Sequence, residues 1–151
     1  ANGISLGAAT ICYALPELHD IAFIVLESSY DSVVNAVRNR MAMYHAPHVV
    51  AEPHYIGLSF YLKTPAWRLR PLDFVSCCNA PALIMAGDAE PELKVTETEA
   101  LFERCASRQK EMHLFEQERH QDFLSKYPEE YKKVMRDFLK GIRQASTLAA
   151  L

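Results

Sequence analysis

The sequence has little charge imbalance, no long apolar run and no paired-cysteine motif, and each lack removes a class of function. Its formal net charge is −3, too small to draw nucleic acid or an anionic membrane to it. Its apolar stretches fall far short of the ~20 residues that a membrane-spanning helix needs. The four cysteines, Cys12, Cys77, Cys78 and Cys105, form no C-x-x-C pair, and neighbouring Cys77 and Cys78 bridge each other only under strain. They read as reduced, small, partly buried side chains, which favours a reducing, cytoplasmic setting. No repeat, low-complexity segment or signal-like leader is visible, and the first residues read like the middle of a protein. What remains is 151 residues, 50% hydrophobic and 23% charged, the size and balance of one globular domain.

Hydrophobic patterning alternates short apolar runs with amphipathic ones. Ala1–Gly7 is small and turn-prone and leads into a helix over Ala8–Leu15, which Pro16 breaks. Ile21–Leu26 is a continuous apolar run, as in a strand buried on both faces. Asp31–Met43 is an amphipathic helix that Asp31 or Ser32 can cap. His45–Leu72 carries Pro47, Pro53, Pro65 and Pro71 among many aromatics, and reads as an irregular lid or cap insertion over about residues 44–72. Pro81–Gly87 is a second buried strand, followed by the acidic loop Asp88–Glu92. A helix is expected over Thr96–Arg108, with Thr96 as cap and Glu99 at capping-box spacing. Glu111–Glu116 is a third, shorter strand. Pro128 then opens a last helix to about Arg143, beyond which the chain is expected to fray. Strands alternating with helices imply a parallel sheet in an α/β fold, here one part of a doubly wound sheet.

Gly3-Ile4-Ser5-Leu6-Gly7 is a G-x-S-x-G at a turn into a helix. In a nucleophile elbow this pattern exposes the serine at a helix N-terminus, with glycines where side chains would collide with backbone. The N–H of the next residue, Leu6, is then placed to stabilise an oxyanion. A serine hydroxyl needs a general base, and a histidine base needs an orienting carboxylate. Of the six histidines, His120 alone sits in a polar loop between the third strand and the last helix. His113 lies inside that strand, His19 precedes a strand, and His45, His48 and His54 cluster in the insertion without metal-pair spacing. The loop after the second strand offers Asp88, Glu90 and Glu92 as the acid.

With these residues in order, the chain resembles the C-terminal part of the α/β-hydrolase superfamily, nearest its serine esterase and serine aminopeptidase-like branch. The matching stretches are GISLGAAT, AFIVLESSYDS, APALIMAGDAEPE and EMHLFEQERHQDF with PEEYKKVMRDFL. The resemblance implies Ser5 as nucleophile, His120 as general base and Leu6 N–H as an oxyanion donor. Glu90 stands where the family usually has aspartate, with Asp88 as the alternative acid. Arg119 replaces a small residue before the histidine, where a cation is expected to disfavour imidazolium, and Ser29 stands where relatives often have proline. The chemistry so implied is cleavage of a small-molecule ester or related acyl substrate through an acyl-enzyme, without cofactor or metal. Tyr30, Tyr44, Tyr55, Phe60, Tyr61 and Trp67 are candidates to line an acyl pocket beneath the lid. The strands and second oxyanion donor that the family places before the elbow are not in the sequence, so the chain reads as truncated. The alternative reading is a non-catalytic hydrolase remnant, stabilised by association through an exposed sheet edge.

Overall fold

A computed structural model describes residues 1–149. Its centre is a sheet of four parallel strands in sequential order: β1 Asn2–Ile4, β2 Ile24–Glu27, β3 Ala82–Gly87 and β4 Lys110–Phe115. The sequence pattern marks β2 and β3, whose residues are buried throughout. It misses β1, which is only three residues long and has no apolar run of its own. β4 is as long as β3, not shorter as expected. It lies at an edge and leaves Glu111 and Met112 exposed, which weakens its apolar signal.

Alternation along β2 and β3 sorts their side chains onto two faces. Ile24, Leu26, Ala82 and Ile84 pack with Ala8 and Cys12 of α1 (Leu6–Ala14) and with Leu101 of α5 (Val95–Arg104). Val25, Leu83 and Met85 pack on the opposite face with Phe115, Phe123, Tyr131 and Phe138. The last three belong to the short helix α6 (Phe123–Lys126) and to α7 (Pro128–Ala149). Phe115 and Phe123 stack with ring centroids 4.2 Å apart. Helices therefore cover both faces of a parallel sheet, an α/β layer architecture. Cys12, Cys78 and Cys105 are buried in the first layer and Cys77 is exposed, all as free thiols. Burial pushes the Cys12 thiol up to about 12, so it is a packing group, not a nucleophile.

Local signals place the helices with some corrections. Helix α2 spans Val33–Met43, and Ser32, not Asp31, caps it by accepting from Asn35 N–H at 3.2 Å. Helix α5 begins at Val95 with Lys94 at the cap position, so Thr96 is not the cap and the helix ends at Arg104, short of Arg108. Glu97, not Glu99, reaches back to the Lys94 N–H at 3.5 Å. Helix α7 runs on to Ala149, so the expected end near Arg143 is too early.

The stretch from His45 to Leu72 is more regular than its prolines imply. A 3₁₀ turn over His48–Ala51 leads into α3 (Glu52–Leu62), a second over Ala66–Arg68 follows, and α4 (Pro71–Phe74) returns to the sheet. Pro53 is tolerated because it stands in the first turn of α3, where its missing N–H has no helical partner. None of the residues of α3 is buried. Two backbone bonds tie the returning chain to the start of α2, from Val33 N to Leu69 O at 2.9 Å and from Leu72 N to Asp31 O at 3.2 Å.

Candidate active site

Because all strands are parallel, the segments that follow β1, β2, β3 and β4 emerge at one edge of the sheet. Open α/β sheets gather their functional groups at that C-terminal edge. Ser5, Ser28, Glu90 and His120 follow the four strands in that order.

Ser5 occupies the turn between β1 and α1 at φ 53°, ψ −113°, in the positive-φ half of the map that costs a side-chain-bearing residue energy. Backbone bonds hold it there. Its N–H donates to Glu27 O at 2.8 Å, and its carbonyl accepts from Ala9 N–H at 3.1 Å. Gly3 is required by close approach, since a Cβ there would lie 2.5 Å from Gly7 C and 2.7 Å from Ala8 N. The same reason does not extend to Gly7, where an added Cβ meets nothing within 4 Å. Leu6 is the first residue of α1, so its N–H is one of the helix's unpaired donors.

Glu90 has a fully buried side chain. Its Oε2 lies 2.7 Å from His120 Nδ1, while Oε1 accepts from Ser28 Oγ at 2.6 Å and from Gly87 N–H at 2.7 Å. Each carboxylate oxygen is thus engaged. His120 is half-buried, and its pKa is raised above the ordinary 6.5, chiefly by the hydrogen bond to Glu90, against desolvation. The charge of Glu92 adds to the rise and that of Arg40 opposes it. The opposing cation is therefore Arg40 of α2, and the sequence neighbour Arg119 is not among the charges acting on the ring. Among the described residues no hydrogen bond joins the Ser5 hydroxyl to His120.

Asp88 goes elsewhere. Its Oδ1 accepts from Gln117 N–H at 2.5 Å, and the turn is fixed further by Asp88 N to Phe115 O at 3.1 Å and Ala89 N to Glu118 O at 2.9 Å. Glu118, a neighbour of the histidine, accepts from Lys126 Nζ at 2.8 Å and contacts Tyr127 and Gln121. Lys126 holds the Glu118 carboxyl below its usual range. These bonds lock the loops after β3 and β4 together. No sequence motif marks the contacts of Ser28 and Asp88, whose partners are backbone groups or lie far off in the chain, and the nearby partners of Glu118 follow no recognised spacing.

His113 lies on β4 with Nε2 2.9 Å from Glu130 Oε1, and His19 is exposed before β2. His45 and His54 are exposed, and the side chain of His48 lies outside the described residues. No group of three metal-ligating side chains is placed to hold an ion among the described residues, and no helix there is long and apolar enough to cross a membrane. Of the candidate aromatics, Tyr55, Phe60 and Trp67 line a groove of about 480 Å³ with Val34 and Arg38. Tyr44 and Tyr61 are exposed, and Tyr30 is half-buried away from that groove.

Comparison with solved structures identifies the architecture. An esterase of Pyrococcus furiosus superposes with a TM-score of 0.68 at 22% identity, over 92% of this chain and 51% of its own. The fold is part of that of the α/β-hydrolases. A monoacylglycerol lipase of Paleococcus ferrophilus aligns at TM-score 0.60 and 16% identity, over 93% of this chain and 67% of its own. An acylaminoacyl peptidase of Pyrococcus horikoshii aligns at TM-score 0.65 and 13% identity, over 91% and 23%. The chain spans about half the length of the Pyrococcus furiosus esterase. No protein-family model matches it, and no curated protein does.

Proposed function

We propose that this α/β-hydrolase-type chain carries the catalytic residues of a serine hydrolase acting on carboxylic ester or related acyl bonds. The observation that carries the reading is the buried Glu90 bonded to His120 at 2.7 Å, at the sheet edge where Ser5 stands on its positive-φ turn. In this reading Ser5 Oγ attacks the substrate carbonyl and its proton passes to His120 Nε2, while Nδ1–H stays on Glu90. The Leu6 N–H donates to the oxyanion that forms. Collapse expels the alcohol, which takes the proton from His120, and leaves an acyl-serine. Water attacks that ester with His120 again as base, releasing the acid and restoring Ser5. The mechanism calls on no cofactor and no metal. An amide substrate fits the same steps, with an amine as leaving group. The groove of Tyr55, Phe60 and Trp67 supports an apolar acyl group, and the free thiols support a reducing compartment such as the cytoplasm.

A fluorophosphonate probe tests the reading. Labelling is expected on Ser5, lost in Ser5→Ala and strongly slowed in His120→Ala. Undiminished labelling of Ser5→Ala sinks it.

A second reading has its own support. The outer edge of β1 pairs with no strand among the described residues, and Ile4 and Leu6 beside it are 46% and 67% exposed. Such an edge fits a non-catalytic hydrolase piece held by association with another chain. Sedimentation velocity on the purified protein separates the two: an inert oligomer that dissociates when Ile4 is replaced by lysine favours this reading, and an active monomer removes it.

A further inference from the structure

Ser28 lies outside the proposed catalytic residues, yet among the described residues it is the only side chain that donates to the oxygen of Glu90 facing away from His120. It is buried, 2% exposed, and its backbone sits at φ 47°, a left-handed conformation that serine adopts at a cost. Its N–H continues the sheet by donating to Met85 O at 2.8 Å. This backbone turn lets the hydroxyl at the end of β2 reach the loop after β3, 62 residues further on. The glutamate there needs such a restraint. It has one more rotatable bond than an aspartate, and an ionised carboxylate can only accept hydrogen bonds. With Oε1 held by Ser28 Oγ at 2.6 Å and by Gly87 N–H at 2.7 Å, the carboxylate plane is set and Oε2 is left for the imidazole.

We infer that Ser28 is a positioning residue, which fixes the Glu90 carboxylate in the orientation that holds His120 for proton transfer. The inference rests on the reading of Ser5, His120 and Glu90 as the reacting set. Ser28 Oγ donates its proton to Glu90 Oε1 and takes no part in the proton transfer itself. It acts through Glu90 alone, and that is where it differs from a buried hydroxyl that merely finds an acceptor.

The test uses Ser28→Gly and Ser28→Ala in the purified protein. Glycine removes the hydroxyl and also relieves the left-handed backbone, so a loss of activity in that variant is not a loss of fold; thermal melts confirm it. Hydrolysis of p-nitrophenyl acetate is expected to lose about ten- to a hundred-fold in kcat, with KM changed less than about two-fold. Slackening the imidazole–carboxylate bond moves the acid limb of the fluorophosphonate labelling rate to lower pH. In a Glu90→Ala background, Ser28→Gly is expected to have no further effect, since the residue through which it acts is gone. Unchanged kcat and acid limb in both variants overturn the inference. An equal loss with and without Glu90 overturns it too, as does an acid limb that moves up, which marks a carboxylate left in place and merely more basic. Ser5→Ala is run alongside. If it still labels, the reacting set itself is wrong; if it does not label while Ser28→Gly behaves as the parent, only the role of Ser28 fails.

Discussion

Glu90 and Asp88 share one short loop and point to different partners: Glu90 Oε2 meets His120 Nδ1 at 2.7 Å, whereas Asp88 Oδ1 meets the Gln117 N–H at 2.5 Å. One carboxylate orients a ring and the other closes a turn. If Glu90 is the acid, Glu90→Gln keeps the shape but removes the charge that steadies the imidazolium, and activity should fall on the order of 10³-fold or more. Asp88→Asn keeps the Oδ1 acceptor for Gln117 and should stay within about five-fold of the parent. The rate of fluorophosphonate labelling of the two variants, measured side by side, checks this. The opposite ranking would return the role to Asp88.

The His120–Glu90 bond also sets a pH dependence. As the proposed base, His120 would act only when neutral, and its pKa lies above the ordinary 6.5 because the Glu90 hydrogen bond favours the imidazolium. The acid limb of the labelling rate should therefore lie above 6.5, and Glu90→Gln should move it down. Stability runs the other way. The raised pKa of the folded state means the pair stabilises fully below the ordinary histidine pKa and loses that contribution as pH rises through the raised value. A titration of His120 by NMR reads the pKa directly, and a value at or below 6.5 contradicts the expectation.

The sheet and its helices were legible where one chain segment carries its own signal. Ile24–Leu26 and Ala82–Gly87 are apolar without interruption because helices cover both faces of those strands. Ser32 is recognisable as a cap because the helix start it serves lies next to it in sequence. β1 escaped because three residues show no period, and α3 escaped because Pro53 and Gly57 look like breakers while none of its faces is buried. At the candidate site, the placement of Ser5 and His120 after their strands was legible from motif and order, and Glu90 stands as a departure from the usual aspartate. The contact of Ser28 with Glu90 and the backbone-directed turn of Asp88 join segments that follow different strands, and no local pattern encodes such pairs.

Close backbone approach predicts a contrast among the glycines. A Cβ on Gly3 would meet the Gly7 and Ala8 backbone of α1, and a Cβ on Gly87 would meet the Glu118 carbonyl in the His120 loop. Neither neighbour is a flexible side-chain end, so Gly3→Ala and Gly87→Ala should each cost about 1–3 kcal/mol or more. Gly7→Ala has open space within a helix and should be neutral or gain up to about 1 kcal/mol. Chemical denaturation of the three variants decides the matter. Equal stability of Gly3→Ala and Gly7→Ala would show that α1 is not packed against β1 as described.

A buried acid, Glu27, also holds the Ser5 turn through its backbone carbonyl, which accepts from Ser5 N–H at 2.8 Å. Glu27, 1% exposed, accepts from Tyr131 Oη at 2.7 Å, so a strand end and helix α7 are joined across the second core layer. Desolvation raises the Glu27 pKa and the Tyr131 hydrogen bond works against that rise. Tyr131→Phe removes the donor and leaves a buried carboxylate short of a partner, at a cost of about 1–3 kcal/mol. The sign with pH follows from the raised pKa. Ionised Glu27 is the form the fold disfavours, so the loss is greatest at alkaline pH and shrinks in acid as the carboxyl takes up its proton. Glu27→Gln removes the charge, and in that background Tyr131→Phe should cost clearly less than it does alone. Thermal melts of the four proteins across pH 5–9 measure both effects. A penalty for Tyr131→Phe that is the same at every pH and in both backgrounds would show that the Tyr131 hydroxyl acts independently of the Glu27 charge, and no penalty at all would leave Tyr131 a packing residue.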